Sequence, residues 1–482
     1  MNEAVKICEK NKKVLEYKGK PIMLLCATEH YGSVMNGAFD YKAYLEECAD
    51  KKQNYTRLFL MFRELQTCFD PYSTCKSETP DYISPYTRSG GGKATDGLPL
   101  YDLDSWNPEF FDRLHDFLTI AEQKGVIAEV VFFSCGYLQE YYDLQPLGAK
   151  NNINGVHDTY FPVAMSMKDE KLFEYQKKYV EKVVREINKY PNFIFEICNE
   201  PACVDAGAVS LQEVNDWQNA FVKLIRDIEK DMPLKHLIAA EESWDWPEID
   251  DTRRTMDTEY NFNEMDIDIV NIHPGENILY KGKRYDMNEF MSKQLKLKSV
   301  RDFCVDTWGE DKAVNLDEDN AASAFLDEEA WTIQRKRAWT TIMSGAHYDY
   351  IDFSITIFTP AGTPRSRACV RTWFKNLQSY VDGMDLINGA PMKDALGGCP
   401  DYILPSVYGS KDEYNIYLAD CREREEEGCG DAISNLELEL PEGEYDACLY
   451  SPASGQFSPI VRIKDRIKLP EFTHDIAIKL SR

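Results

Sequence analysis

The chain has 482 residues, 43% of them hydrophobic and 12% aromatic, enough for one large folded domain and a smaller one. Its 82 acidic residues outnumber 55 basic ones, and the formal net charge of −27 repels nucleic acid, anionic membrane and polyanionic substrates. No apolar run is long enough to span a membrane.

The start, MNEAVKICEK, lacks the apolar segment of a secretory signal. The 14 cysteines and 7 histidines show neither a C-x-x-C pair nor metal-ligand spacing. The expectation is a cytoplasmic protein with reduced thiols, no metal and no cofactor, for which a homo-oligomer is allowed.

In chain order, the first strand is expected at 21–27 (PIMLLCA), a helix at 41–50 and a second strand at 54–62 (NYTRLFLMF). Residues 64–108, rich in Ser, Gly, Pro and Tyr, read as an insertion, followed by a helix at 109–124 and a strand at 126–134. At 167–189 the apolar positions Leu172, Tyr175, Tyr179, Val183 and Ile187 make one helical stripe. Strands at 192–198, 236–240, 266–272, 312–316 and 349–357 then alternate with helical patterns at 211–230, 287–303, 327–344 and 370–381.

Eight buried strands alternating with helices predict a (β/α)8 (TIM) barrel over residues 1–384. A doubly wound open sheet competes, but no G-x-G-x-x-G follows any strand. From 385 to 482 the rhythm changes to short alternating strands at 401–409, 413–420, 436–452 and 475–480, which predict a small antiparallel β-sandwich. CREREEEGCG (421–430) reads as a solvated hairpin tip.

Active sites of such barrels lie at the C-terminal ends of the strands. Those ends supply His30, Arg57, Asn199, Glu200, Glu241, Glu242, His273 and the run Asp317-Glu318-Asp319. Carboxylates gathered with cationic and aromatic neighbours suit glycosidic hydrolysis: one carboxylic acid protonates the leaving oxygen while a second carboxylate attacks the anomeric carbon. A carboxyl at the rim of an apolar strand is expected to have a raised pKa. Aromatic residues after strands, Tyr31, Tyr137 and Trp244 among them, are candidates to stack on sugar rings, Trp244 foremost. Glu241 and Glu242 are rivals for a substrate-binding or capping role, and Cys198 reads as packing.

The stretch FEICNEP resembles the Asn-Glu-Pro motif that ends strand four in clan A glycoside hydrolases, the retaining cellulase-like (family-5-like) barrels. The resemblance implies that Glu200 is the acid/base, Asn199 a contact of the sugar 2-hydroxyl, and Glu318 the nucleophile, with Asp317 and Asp319 as competitors. NYTRLF resembles the clan's strand-two N-x-x-R, which makes Arg57 the neighbour of the nucleophile. His273 keeps part of a His-x-Tyr pattern, because Pro274 and Gly275 follow it. His30, Tyr31 and Trp244 complete the expected carbohydrate-binding set. TEHYGSVMNGAFDY and DLDSWNPEFFDRLHDFL resemble clan members with a C-terminal β-sandwich. The alternative is a non-catalytic carbohydrate-binding protein on the same scaffold.

Overall fold

The computed structural model describes residues 3–28, 34–61, 81–246, 254–288, 294–319, 328–351 and 364–482. Eight strands form the central sheet: β1 (Leu25–Thr28), β2 (Tyr55–Phe59), β3 (Ile127–Ser134), β4 (Phe193–Asn199), β5 (Ile238–Glu241), β6 (Ile269–Ile272), β7 (Ala313–Asp319) and β8 (His347–Ile351). The hydrogen-bonded order is β1-β8-β7-β6-β5-β4-β3-β2, every pair parallel. The seam between β1 and β2 is bridged by side chains. Asn54 accepts from the Leu25 N–H at 2.9 Å and donates to the Met23 carbonyl at 2.8 Å. The chain is therefore a (β/α)8 barrel.

The helices follow from local signals. They are α1 (Tyr41–Asp50), α2 (Pro108–Lys124), α3 (Glu170–Ile187), α4 (Leu211–Glu229), the short α5 (Glu259–Asn263), α6 (Leu297–Asp306), α7 (Glu328–Met343) and α8 (Pro364–Val381). Asn107 caps α2 ahead of Pro108 at the first helical position, and Gly125 ends it at φ 76°. Ser210 and Glu213 close a reciprocal capping box on α4. The stripe on α3 is buried as its spacing predicts.

Two expectations fail here. The pattern at 287–303 is not one helix: α6 begins only at Leu297, because Lys283–Tyr285 is a strand and Met287 donates its N–H to the Gly275 carbonyl. The charged N-terminus, ahead of the first expected strand at 21–27, folds into an antiparallel sheet of Lys6–Cys8, Asn11–Tyr17 and Lys20–Ile22. Its Val5, Leu15 and Tyr17 pack with Leu24, Tyr55, Ile194 and Ile269, so it plugs the N-terminal mouth of the barrel.

Beyond the barrel, β9 (Ile403–Gly409), β10 (Glu413–Asp420), β11 (Glu437–Ser451), β12 (Val461–Lys468) and β13 (Asp475–Ser481) pair antiparallel in the order β9-β10-β13-β11-β12. A register shift between Glu439 and Glu444 bends the long β11. The bend folds the sheet about Ile416, Leu418, Leu438, Tyr445 and Ile478, a sandwich with its own core. The strand Val461–Lys468 is absent from the sequence reading, because its mostly charged alternation offers little apolar signal.

Helix α7 joins the two cores, and it is buried from Trp331 to Met343. Its three consecutive cations all have partners. Arg335 grips Asp475 through two bonds of 2.8 and 2.9 Å, Lys336 donates to the Asp420 carbonyl at 2.8 Å, and Arg337 pairs with Asp319 at 2.6 Å. Trp339 stacks on Tyr417 at 5.1 Å. The run 421–430 is also less solvated than expected: Glu423 accepts the N–H groups of Leu295 and Lys296 at 2.6 and 3.0 Å, at the start of α6.

Candidate active site

Arg57 on β2 and Glu196 on β4 lie inside otherwise apolar strands, and both are fully buried. Each would be costly alone. They meet through bonds of 3.0 and 2.6 Å, and the same guanidinium reaches Asn199 Oδ1 at 3.1 Å and the carboxylate of Glu318. Asp317 approaches its Nε at 3.5 Å. Arg57 is thus a buried cation of the barrel interior, and it brings β2, β4 and β7 to one point.

Glu200 follows the end of β4 at the rim. Its Oε2 accepts from the Tyr137 hydroxyl at 2.6 Å, and its Oε1 accepts from Arg254 Nη1 at 3.0 Å and faces His273 Nδ1 at 3.1 Å. His273 Nδ1 also lies 3.5 Å from Glu318 Oε2, so one imidazole spans both carboxylates. Oxygens of Glu200 and Glu318 come within 4.8 Å of each other. Glu200, His273 and Glu318 form one trio of metal-ligand type, and Glu129, Glu196 and Asp317 a deeper one, yet Arg57 stands against both as a built-in cation.

Backbone geometry separates the three consecutive acids on β7. Strict alternation puts Asp317 and Asp319 on the face opposite Glu318. The pairing with β8 slips between Leu316 and Asp319, and Glu318 takes φ 51°. This bulge turns Glu318 into the cleft, while Asp319 is held by Arg337 and by the Tyr348 hydroxyl at 3.0 Å. Glu200 (φ 45°) and Tyr137 (φ 54°) share the left-handed conformation. Each such residue costs about 1–3 kcal/mol, and such strain gathers where side chains must be aimed.

Charge follows from these contacts. Burial pushes Glu241 up to about 8 and Glu196 up to about 7, the latter against the pull of Arg57. Burial alone would lower His273, but Glu241, Glu318 and Asp317 around it hold it well above the usual imidazole value. The expectation that Glu200 is raised is overturned: burial does push it up, yet its bond with His273 and the nearby Arg254 bring it below the ordinary carboxylate value.

Other expected residues have less open positions. Trp244, expected to stack on sugar, is completely buried: its Nε1 donates to Glu241 at 2.5 Å and its ring lies under Arg254. Asn199 is also buried, its amide donating to Ser134 Oγ and to the Tyr137 hydroxyl at 3.1 Å each. Glu241 accepts the backbone N–H of Glu200 at 2.8 Å, and Glu242 braces Asn215 and Asn261 away from the cleft. His30 and Tyr31 lie outside the described residues.

Two contributors, Glu196 and Arg254, escaped the sequence reading, and Tyr137 was expected to stack on sugar rather than to bond Glu200. Glu196 had a signal: an acid in FEIC and a cation in TRLF, each in a buried run, need one another. Tyr137 was one loop aromatic among several. Arg254 had no signal, because it is placed by a five-stranded sheet made of loop segments, Ala202–Cys203, Trp244–Asp245, Thr255–Asp257, Asn277–Tyr280 and Lys283–Tyr285.

Comparison with known proteins agrees with the fold. The sequence profile described as Cellulase (glycosyl hydrolase family 5) matches residues 19–333. Among solved structures, a glycoside hydrolase family 5 protein from Bacteroides vulgatus is 13% identical at a TM-score of 0.61, over 100% of this chain and 94% of that one. A further glycoside hydrolase is 14% identical at 0.60, over 100% and 97%. An endo-1,4-beta-mannanase from Rhizomucor miehei is 14% identical at 0.50, over 78% of this chain and 100% of its own. Among curated proteins none matches in sequence. No helix among the described residues is long and apolar enough to cross a membrane.

Proposed function

The chain belongs to the cellulase family of glycosyl hydrolases, family 5, and from that premise we propose that it is a retaining β-glycosidase. Glu318 is the nucleophile and Glu200 the acid/base. The observation that carries this reading is the approach of their oxygens to within 4.8 Å. Retaining enzymes hold their carboxyl groups about 5–5.5 Å apart, whereas inverting ones leave about 6.5–9.5 Å for a water.

In the first step Glu318 attacks the anomeric carbon, and Glu200 gives its proton to the departing oxygen. In the second, Glu200 takes a proton from the water that attacks the same carbon and releases Glu318. Arg57 serves both steps: it favours the ionised form of Glu318, and its pairing with Glu196 keeps it in place when Glu318 is esterified. Tyr137 orients Glu200 through Oε2. His273, bearing a proton, sits between the two carboxylates and screens their repulsion. In this reading Asn199, held by Arg57, Ser134 and Tyr137, is the contact of the sugar 2-hydroxyl.

The substrates in this reading are β-linked oligosaccharides or small glycosides. The buried free thiols Cys26, Cys135, Cys198 and Cys304 support a reducing, cytoplasmic setting. Residues 385–482 act as a separate accessory unit that braces the barrel. The test follows the anomer released from an aryl β-glycoside by proton NMR: the β-anomer appears first, and an α-anomer in the first minutes refutes the assignment of Glu318 as nucleophile.

A further inference from the structure

Resting on the glycosidase reading, a role for Glu241 follows from the backbone of the acid/base. Glu200 sits at φ 45°, and Pro201 comes directly after it. A residue before proline favours an extended φ near about −120°, so a Glu-Pro pair does not adopt this turn unaided. Such a conformation persists only where its surroundings fix it. Tyr137, Arg254 and His273 all meet the Glu200 carboxyl, and so aim its oxygens rather than hold its backbone.

The backbone is held from β5. Pairing between β4 and β5 runs as far as Glu196–Ala239 and resumes only past the site, at Ala202–Trp244. Between those two points the Glu200 N–H donates to a side chain, Glu241 Oε2, at 2.8 Å. Glu241 is completely buried, where a carboxyl is costly unless its oxygens are bonded. Both are bonded, because Oε1 accepts from Trp244 Nε1 at 2.5 Å. The Trp244 N–H in turn donates to the Pro201 carbonyl at 2.8 Å, which closes a ring of bonds around the Glu-Pro turn. His273 flanks the same pair: its Nδ1 lies 3.1 Å from Glu200 Oε1 and its Nε2 lies 3.7 Å from Glu241 Oε2.

We propose that Glu241 is a positioning residue for the acid/base: its carboxyl fixes the left-handed turn from which the Glu200 side chain reaches the glycosidic oxygen. Glu241 itself touches no substrate in this role. A displacement of a reacting group by about 1 Å costs on the order of 10²-fold in rate, so a relaxed turn at Glu200 weakens proton delivery before it weakens anything else. A carboxyl offers one acceptor oxygen to each of the two donors, whereas an amide has a single acceptor. Glu241→Gln therefore serves either Glu200 or Trp244 at a time, and Glu241→Met, of similar size, serves neither.

The test measures kcat/KM, which reports the glycosylation step, on β-linked disaccharides and on 2,4-dinitrophenyl β-glycosides. The sugar leaving group needs a proton and the dinitrophenolate does not. The ratio of the two values does not depend on how much of a variant is folded. In Glu241→Met the disaccharide value should fall about 10–10²-fold further than the dinitrophenyl value, and Glu241→Gln should recover part of that difference. A merely structural acid lowers both values alike; an unchanged ratio in both variants overturns the proposal and leaves the glycosidase reading standing. Should Glu241→Met not fold, Glu241→Gln decides by the same ratio. If the wild type hydrolyses no glycoside, the glycosidase reading fails, and crystal structures of the two variants decide the role of Glu241. Residue 200 is expected to leave its left-handed φ and its bond to Tyr137; a turn and a bond that both survive in the variants overturn the proposal.

Discussion

Glu242 offers a measure of what burial does to the acids of this barrel. It directly follows β5 with 3% of its surface exposed, and accepts from the Asn261 N–H at 2.7 Å and from Asn215 Nδ2 at 2.8 Å. Those two donors favour the ionised form, but burial outweighs them and pushes the carboxyl from 4.5 up to about 8. The unfolded chain ionises first as pH rises, while the folded one still holds its proton. The contribution of this group to stability is therefore complete below pH 4.5 and is lost as pH rises toward 8. The loss is about 1.4 kcal/mol per pH unit, or about 4 kcal/mol between pH 5 and pH 8.

Glu242→Gln copies the protonated form in shape and does not titrate. In urea unfolding at pH 5, 6, 7 and 8, the variant should match the wild type at the acid end and overtake it steadily toward the alkaline end. Glu196 and Glu241, at about 7 and about 8, slope the same way in both proteins and cancel in the difference. Stability curves that run parallel across the four pH values would refute the reasoning, because burial would then not be the force that sets this carboxyl.

Glu200→Gln should lower kcat on sugar leaving groups by about 10²–10⁴-fold, and less on nitrophenyl glycosides that leave without a proton; equal losses on both would count against its role as acid. Glu318→Gln should abolish turnover of both kinds, checked with a nitrophenyl release assay. Tyr137→Phe removes a 2.6 Å bond to Glu200 and should cost about tenfold in kcat. Because that bond favours the carboxylate, the variant should stay active to higher pH; an unmoved alkaline limb removes Tyr137 from the site. Asp475→Asn leaves Arg335 buried without its partner and should cost about 3–5 kcal/mol in urea unfolding, with kcat/KM at 25 °C unchanged; a loss under about 1 kcal/mol means that the two cores are not coupled through this pair.

Several structural features were legible before any coordinates because their signals are local. The stripe Leu172–Ile187 and the buried run before Asn199 each depend on neighbours a few residues away. Helix α7 was recognisable as a helix, but the use of Arg335, Lys336 and Arg337 was not, since their partners Asp475, Asp420 and Asp319 come from three remote strands. The N-terminal sheet was missed for a related reason: Lys12 faces water and Lys13 donates to the Thr307 carbonyl while Leu15 and Tyr17 seal the barrel floor, and a short strand with so few apolar residues gives a weak pattern.

By itself, then, the order of residues determined the alternation of strands and helices, the polar end of β4 with Asn199 and Glu200, and the presence of an acid at the end of β7, because hydrophobic period and turn chemistry act over short distances. The tertiary structure decided which acid of Asp317-Glu318-Asp319 enters the cleft, that Trp244 turns inward, and that Arg254 meets Glu200 at 3.0 Å. Those outcomes depend on a bulge, on close packing and on a sheet woven from three loops. Each is set by contacts between segments far apart in the chain, and no local pattern records them.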